Sequence, residues 1–360
     1  MKICVVSTPV FQVPVTGYSG LEHLAWQQAE GLAKLGHQVL LIAPDGSSCP
    51  GCEVVHIGPA GHISEEMAYS GFPEIKNGWQ TVREAHGGYW QHLLRCDAII
   101  DNSWQKFSYG LKAEGKLKAP VLGVCHAPVN TMFRELPKGV DKPCFVCISD
   151  DQRGHFESLF GKPARTAYNG IDLSFYQPLG LPRTDRFLFL ARFSTIKGPD
   201  LAIEACQRAG VGLDLVGDTS ITNEPELLAK CQAMADGKQI KMVGPASRGE
   251  CVWWFSQAHC LLHPNMRFRE PFGLAPVEAM ACGCPVIAWD NGAMRETSGK
   301  SKECCLVKSF EELMEVIQRI KEKKNPNRNE CREIASLFSV DRMVQRYAEL
   351  CEEAIRTGGW

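Results

Sequence analysis

What the sequence lacks narrows it first. No run of about 18 apolar residues occurs, so no stretch is long enough to cross a bilayer as a helix. The N-terminal apolar run, MKICVVS, ends at once in TPVFQVP; it is too short for the core of a signal peptide and reads as a strand. Neither sign of charge is in excess: 39 Lys and Arg stand against 41 Asp and Glu, a formal net charge of −2. Without the basic surplus of a nucleic-acid binder, any anionic ligand must be held by a local site. Cysteine, by contrast, is plentiful. There are 17, an odd number, and Cys4, Cys125, Cys206 and Cys260 sit inside apolar runs. That pattern reads as reduced, buried thiols in a cytoplasmic protein. Two CxxC pairs occur, Cys49–Cys52 and Cys144–Cys147. No second pair follows either at ribbon or finger spacing, which argues against zinc, and no metal site is expected.

The 360 residues, with 44% hydrophobic and 22% charged side chains, suit two globular domains of ordinary size. KICVVST is a continuous apolar run of the kind found in buried parallel strands. Leu21 to Leu35 places Leu21, Leu24, Ala25, Ala29, Leu32 and Ala33 at helical spacing, and Gly36 is placed to end that helix. HQVLLIAP is the next strand. Weaker units follow: a helical region around residues 79–95, strands DAIIDNS, APVLGVCHAP and PCFVCIS, and a helix after the last. Residues 173–186 carry prolines and glycine with little periodicity and read as a linker. A second series then alternates strands (RFLFLARF, LDLVGD, IKMVG, CLLHP, PVIAWD) with helices (DLAIEACQRAG, EPELLAKCQAMA, RGECVWWFSQA, LAPVEAMACG). Short loops between alternating strands and helices predict an α/β fold with parallel, doubly wound sheets. The tail, Val340 to Ala354, is one more amphipathic helix.

In such sheets ligands bind beyond the carboxyl ends of the strands, and four loops there carry candidate residues. The first, Pro14 to Gly20, has Gly17 and Gly20 just before a helix, where backbone amides can approach a diphosphate. It is neither a GxGxxG nor a P-loop, which argues against a dinucleotide dehydrogenase and an ATPase. The second, Arg192 to Gly198, leaves a strand with Arg192 and Lys197 five apart, a fork and a point charge that can converge on one anion. The third, Glu270 to Glu278, interrupts regularity with Pro271 and Gly273. It puts Glu270 in the loop, Glu278 in the first turns of a helix, and the amides of Gly273 and Leu274 between them. Carboxylates there accept from hydroxyls while amides and the helix dipole face phosphate. The fourth, Cys125 to Pro128, offers His126 at a strand end.

These residues, in this order, resemble the family 4 retaining glycosyltransferases. The segments that carry the resemblance are SGLEHLAWQQAEGLAKLGHQV, YNGIDLSFY, FLARFSTIKGPDLAIEA and REPFGLAPVEAMACGCPVIAWDNGAMRE, the last being that family's paired-glutamate motif with its flanks. The resemblance implies the GT-B fold: two Rossmann-like domains facing across a cleft, residues 1–175 on the acceptor side and 176–338 on the nucleotide-sugar side. A helix over residues 339–360 would cross back to the first domain. It implies that Arg192 and Lys197 neutralise the donor diphosphate, that Glu278 holds the ribose hydroxyls, and that Glu270 contacts the transferred sugar with help from the Gly273 and Leu274 amides. Gly17 and its neighbours would touch the diphosphate and His126 would face the sugar. No metal or other cofactor is needed. Two departures stand out: GYSG replaces the more usual glycine pair, and TSGKSKECCLV is shorter than the usual stretch after Glu296.

The implied activity is transfer of a hexose-type sugar from a nucleoside-diphosphate donor to a hydroxyl of a glycan, lipid or small molecule. A UDP-sugar is the first choice, and a GDP-sugar remains open. A nucleotide-sugar epimerase of the same fold and a non-catalytic sugar-nucleotide-binding protein are the alternatives. The acceptor side is poorly legible. Lysines in KAEGKLKAP and RELPKGVDK read first as solvated faces, with an anionic membrane surface as the alternative. Trp79, Trp90 and Trp104 read first as core packing.

Overall fold

The computed structural model describes residues 1–15, 19–60, 88–103, 107–129, 140–219, 224–323 and 326–360. Gly17, Trp79, Trp104 and most of RELPKGVDK lie outside the described residues. The chain divides into two compact units, Met1–Gly170 with Val340–Trp360, and Ile171–Ser339.

The first unit is built on seven strands: β1 (Lys2–Val6), β2 (Gln38–Ala43), β3 (Cys52–His56), β4 (Ala98–Asp101), β5 (Val121–Cys125), β6 (Cys144–Cys147) and β7 (Arg165–Thr166). Their order in the sheet is β3-β2-β1-β4-β5-β6-β7, all parallel. The order turns back at β1, which pairs with β2 on one side and β4 on the other: Cys4 lies opposite both Leu40 and Ile99. Ile3, Val5, Leu41, Ile100, Val124 and Val146 are all fully buried, as expected for strands covered on both faces. Helix α1 (Leu21–Lys34) follows β1, and Gly36, at φ 88°, ends the turn after it. Of the helical region expected around residues 79–95, the described part is α2 (Trp90–Leu93), with Trp90 packed against the core. Helices α3 (Phe107–Ala113) and α4 (Asp150–Phe160) complete the series, the latter capped by Ser149, whose hydroxyl accepts from the Gln152 amide at 3.1 Å.

The second unit repeats the plan. Its strands are β8 (Phe187–Leu190), β9 (Leu213–Val216), β10 (Ile240–Gly244), β11 (Leu261–His263), β12 (Val286–Trp289) and β13 (Cys305–Val307). They lie in the order β10-β9-β8-β11-β12-β13, parallel throughout. The helices are α5 (Pro199–Ala209), α6 (Pro225–Met234), α7 (Arg248–Gln257), α8 (Leu274–Ala281), α9 (Phe310–Ile320) and α10 (Arg328–Ala335). Local sequence explains their ends: Ser247 and Glu250 form a capping box at α7, and α5 is flanked by the caps Gly198 and Gly210, both in the left-handed region. Leu313, Val316, Ile317 and Ile320 of α9 are buried, one stripe at helical spacing. The irregular stretch over residues 173–186, the expected linker, lies inside this unit. There the Leu179 amide donates to Ser256 Oγ at 3.1 Å and Arg183 Nη2 to the Ala258 carbonyl at 2.9 Å.

The final helix, α11 (Val340–Thr357), packs in the first unit against α1. Tyr347 and Cys351 are buried there, and Arg165 meets Glu353 at 2.8 Å. The two helices come close because Gly31 has no side chain: a Cβ at that position would stand 2.4 Å from Val344 Cγ2 and 3.0 Å from its Cγ1. Gly31→Val therefore overpacks this contact and lowers stability by about 1–3 kcal/mol. Chemical denaturation of the full chain measures it, and an unchanged midpoint would mean that α1 and α11 do not meet at Gly31.

Candidate functional site

In the second unit the strand order turns back between β8 and β11, the position where open α/β sheets hold ligands. The chain leaving β8 carries Arg192, half-buried, then Phe193, which is fully buried, and turns at residues 194–198. The Lys197 amide donates to the Ser194 carbonyl at 2.9 Å. Gly198 adopts φ 69°, and a Cβ there would lie 2.7 Å from the Pro264 carbonyl oxygen. Glycine thus lets this turn come against the loop that leaves β11, and Lys197 is laid alongside that loop.

Glu270 is the centre of the arrangement. Its Oε2 takes Lys197 Nζ at 2.6 Å, Asn265 Nδ2 at 3.0 Å and His263 Nε2 at 3.2 Å. Because a carboxylate only accepts, His263 is the tautomer with hydrogen on Nε2. Among the described residues no side chain takes Oε1. Burial alone would raise the Glu270 carboxyl, but the Lys197 charge and the His263 hydrogen bond outweigh it and hold Glu270 well below the usual carboxylate range. His263 is itself pushed down by burial, so at neutral pH it is an uncharged donor. Lys197 Nζ also stands 5.2 Å from the Phe268 ring centroid. The backbone of Glu270 is fixed from the other side: the Ala293 amide donates to its carbonyl at 2.9 Å. Gly292, at φ 62°, allows this approach, since a Cβ there would sit 2.2 Å from that oxygen.

Gly273 caps α8 at φ 86°, a left-handed value that L side chains rarely adopt, and a Cβ there would also meet the mobile end of Met294 at 2.4 Å. Leu274 opens the helix, and Glu278 lies one turn in, half-buried. Burial raises the Glu278 carboxyl, while a hydrogen bond from the Tyr176 hydroxyl and the charge of Arg248 work against that rise. Arg248, on α7, stands over the rings of Phe175 and Tyr176 at 5.1 and 5.7 Å. The turn between β8 and α5, the loop after β11 and the start of α8 thus bring together two cations, two carboxylates and a helix N-terminus.

In the first unit, His126 follows β5. Its Nε2 is 2.8 Å from Asn102 Oδ1, and Asn102 Nδ2 donates to Gln28 Oε1, also at 2.8 Å. Asn102 and Gln28 are fully buried, so a half-buried histidine is oriented from α1 through the residue after β4. Gly20 is the N-cap of α1. The Thr8 and Ser19 hydroxyls beside it both donate to Glu22, which is buried in the helix's first turn. Gly17 is not among the described residues. His263, Asn265, Gly292, Tyr176, Arg248 and Glu22 were not singled out in the sequence. HPN at the end of one strand and DNG after the next were the available signals for three of them. No group of three or more His, Cys, Asp or Glu side chains among the described residues is arranged to hold a metal ion.

Two parallel-sheet, Rossmann-like units with polar side chains gathered beyond the strand ends define an α/β protein of the GT-B fold. The Glycosyl transferases group 1 family matches residues 177–337 and Glycosyltransferase Family 4 matches residues 18–175. The chain belongs to these group 1, family 4 glycosyltransferases. It is 31% identical over 237 residues to a D-inositol 3-phosphate glycosyltransferase of Frankia alni, a match covering 58% of each chain and so less than two thirds of that relative. With the protein of the same name from Mycobacterium tuberculosis it shares 29% over 330 residues, 79% of this chain and 67% of that one. Among solved structures, a sucrose-phosphate synthase from Thermosynechococcus elongatus is 20% identical over 99% of each chain, with a TM-score of 0.81. Anabaena HepE in complex with UDP-glucose is 19% identical over 98% of this chain and 100% of that one, with a TM-score of 0.72. At these identities the structural likeness shows the fold.

The ion pair makes a testable statement about acid stability. Glu270 has a folded-state pKa below its unfolded value. Its stabilisation is therefore present above the ordinary glutamate pKa of about 4.3 and is lost as pH falls below it. Lys197→Met removes the charge that most lowers Glu270 and leaves the His263 hydrogen bond to oppose burial without it. The variant is expected to lose about 3 kcal/mol at pH 7, the low end for breaking a buried pair, and to show a flatter decline between about pH 5 and 3. Denaturation midpoints across that range measure both. A decline as steep as in the parent would remove Lys197 as the cause.

Proposed function

We propose that the protein is a retaining glycosyltransferase that moves a hexose-type sugar from a nucleoside-diphosphate donor to a hydroxyl acceptor without a metal ion. The observation that carries this reading is the meeting of Lys197, Glu270 and the N-terminus of α8 at the turning point of the second sheet. Transfer leaves charge on the departing diphosphate. Lys197, Arg192 and the amides at Gly273 and Leu274 supply positive potential there without reorganising, which is where electrostatic catalysis gains most. In the free protein Lys197 is held by Glu270 Oε2, so the cation is already in place before the donor arrives. Glu270 Oε1 then accepts from a hydroxyl of the transferred sugar, and Glu278 accepts from the ribose hydroxyls.

Neither carboxylate is assigned as a nucleophile. Glu270 is tied to a cation and two further donors, which lowers its basicity. In this reading the departing phosphate takes the acceptor's proton on the same face of the sugar. For Gly17, Gly20 and His126 a role toward the donor rests on the resemblance to the family alone.

A UDP-sugar is the first choice of donor, supported by HepE, a protein of the same fold solved with UDP-glucose. The named relatives act on D-inositol 3-phosphate, which makes a polyol phosphate the first acceptor to try. The test is a thermal-shift screen of UDP, GDP, ADP and their sugar conjugates. A nucleotide at 100 times its Kd stabilises the chain by about 2.7 kcal/mol, and Lys197→Ala is expected to abolish that shift. With donor and acceptor in hand, Lys197→Ala should lower turnover by roughly 10²–10³. If no nucleotide raises the melting temperature, or Lys197→Ala turns over at the parent's rate, this assignment of the site fails.

A further inference from the structure

Eight of the 17 cysteines have another cysteine as a neighbour: Cys4 lies near Cys96, Cys125 near Cys147, Cys304 near Cys331, and Cys49 touches Cys52. In the first three pairs every thiol is buried. The fourth differs in exposure and backbone. Cys49-Pro50-Gly51-Cys52 is a tight turn: the Cys52 amide donates to the Cys49 carbonyl at 3.2 Å, Pro50 occupies the second position, and Gly51 the third with φ 74°. That is the type II arrangement, with proline setting the second residue and glycine taking the positive φ. It places the first and fourth side chains together, and the two sulfurs stand 3.0 Å apart. The ends of a β-turn lie less than about 7 Å apart, and a disulfide spans about 4.4–6.8 Å between Cα atoms. The bond can therefore close with little backbone movement.

We propose that Cys49 and Cys52 form a reversible redox site that exchanges with small disulfides. Cys52 opens β3, at the edge of its sheet, and is partly exposed while Cys49 is buried. The Cys49 thiol hydrogen-bonds the Cys52 sulfur and lowers its pKa, whereas the same contact and burial raise Cys49. Cys52 is thus the attacking thiolate and Cys49 the resolving thiol. In the first step the Cys52 sulfur displaces one thiolate from the small disulfide and forms a mixed disulfide. In the second, Cys49 loses its proton and attacks the Cys52 sulfur, releasing the other thiolate. The two cysteines give up two electrons and two protons, and the small disulfide leaves as two thiols. The turn is also tied to other parts of the unit. The Ser48 amide donates to the Val13 carbonyl at 2.7 Å, Ser47 Oγ accepts from the Val13 amide at 3.0 Å, and Trp26 Nε1 donates to the Ser48 carbonyl at 3.0 Å. Val13 precedes the glycine-rich loop before α1, so this turn is hydrogen-bonded to the base of that loop.

The experiment equilibrates the full native chain with mixtures of reduced and oxidised glutathione, blocks remaining thiols with iodoacetamide, and maps the digest by mass spectrometry. As oxidised glutathione rises, the peptide holding Cys49 and Cys52 should lose both alkylations and become lighter by two hydrogens, and dithiothreitol should reverse the change. The three buried pairs should stay reduced in the folded chain. Cys49→Ser should trap one glutathione on Cys52. If both cysteines stay alkylated in oxidised glutathione alone, or each takes a glutathione with no internal bond, the proposal is overturned.

Discussion

A lysine and a glutamate that are both largely withdrawn from water hold the second unit's site together, and much of the surrounding structure exists to keep them there. Desolvating two charges costs more than their attraction returns unless further hydrogen bonds complete the arrangement. Here Glu270 gathers Asn265 and His263 on the same oxygen as Lys197, and its peptide carbonyl is held by Ala293. Each of these approaches needs backbone to touch backbone. Gly198 against Pro264 and Gly292 against Glu270 are the two places where a Cβ would force the loops apart. The glycines of this region are therefore requirements of the ion pair, and the ion pair in turn keeps a cation at the mouth of α8.

The first unit uses neutral groups for a similar purpose. Gln28, Asn102 and His126 form a chain of amide and imidazole hydrogen bonds that begins on a buried face of α1 and ends on a partly exposed ring. Glu22 is satisfied by two hydroxyls, from Thr8 after β1 and Ser19 before α1. Hydrogen-bonded in series, these buried groups hold one another in fixed orientations, with Gln28 bonded through its Oε1 and its Nε2 left without a partner among the described residues. The carboxyl ends of β1, β4 and β5 are thus set in place by side chains from α1.

Burial also sorts the cysteines. Cys206, Cys260 and Cys351 are pushed upward by desolvation, which keeps them thiols that behave as small apolar side chains. The turn at Cys49 and Cys52 departs from this because proline and glycine bring two sulfurs together at the edge of the sheet.

Much of this was legible in the sequence by itself. Short continuous apolar runs and period-3.6 patterns, with glycine at the helix ends, were enough for the alternation of strands and helices, the parallel sheets and the α/β class. The paired-glutamate segment and the strand-end cations were enough for the family, because that motif is local and its residues lie close in the chain. Tertiary structure decided what depends on long-range contact. Lys197 and Glu270 are 73 residues apart and bond only because β8 and β11 are neighbours in the sheet. His263 and Asn265 became partners of Glu270 by the path of a loop whose course no periodicity encodes. Tyr176, in a stretch that reads as linker, reached Glu278 because that stretch packs within the second unit. Sequence patterns report which face of an element is buried; which charges then meet is set by the order of strands and by the few glycines that let loops close on one another.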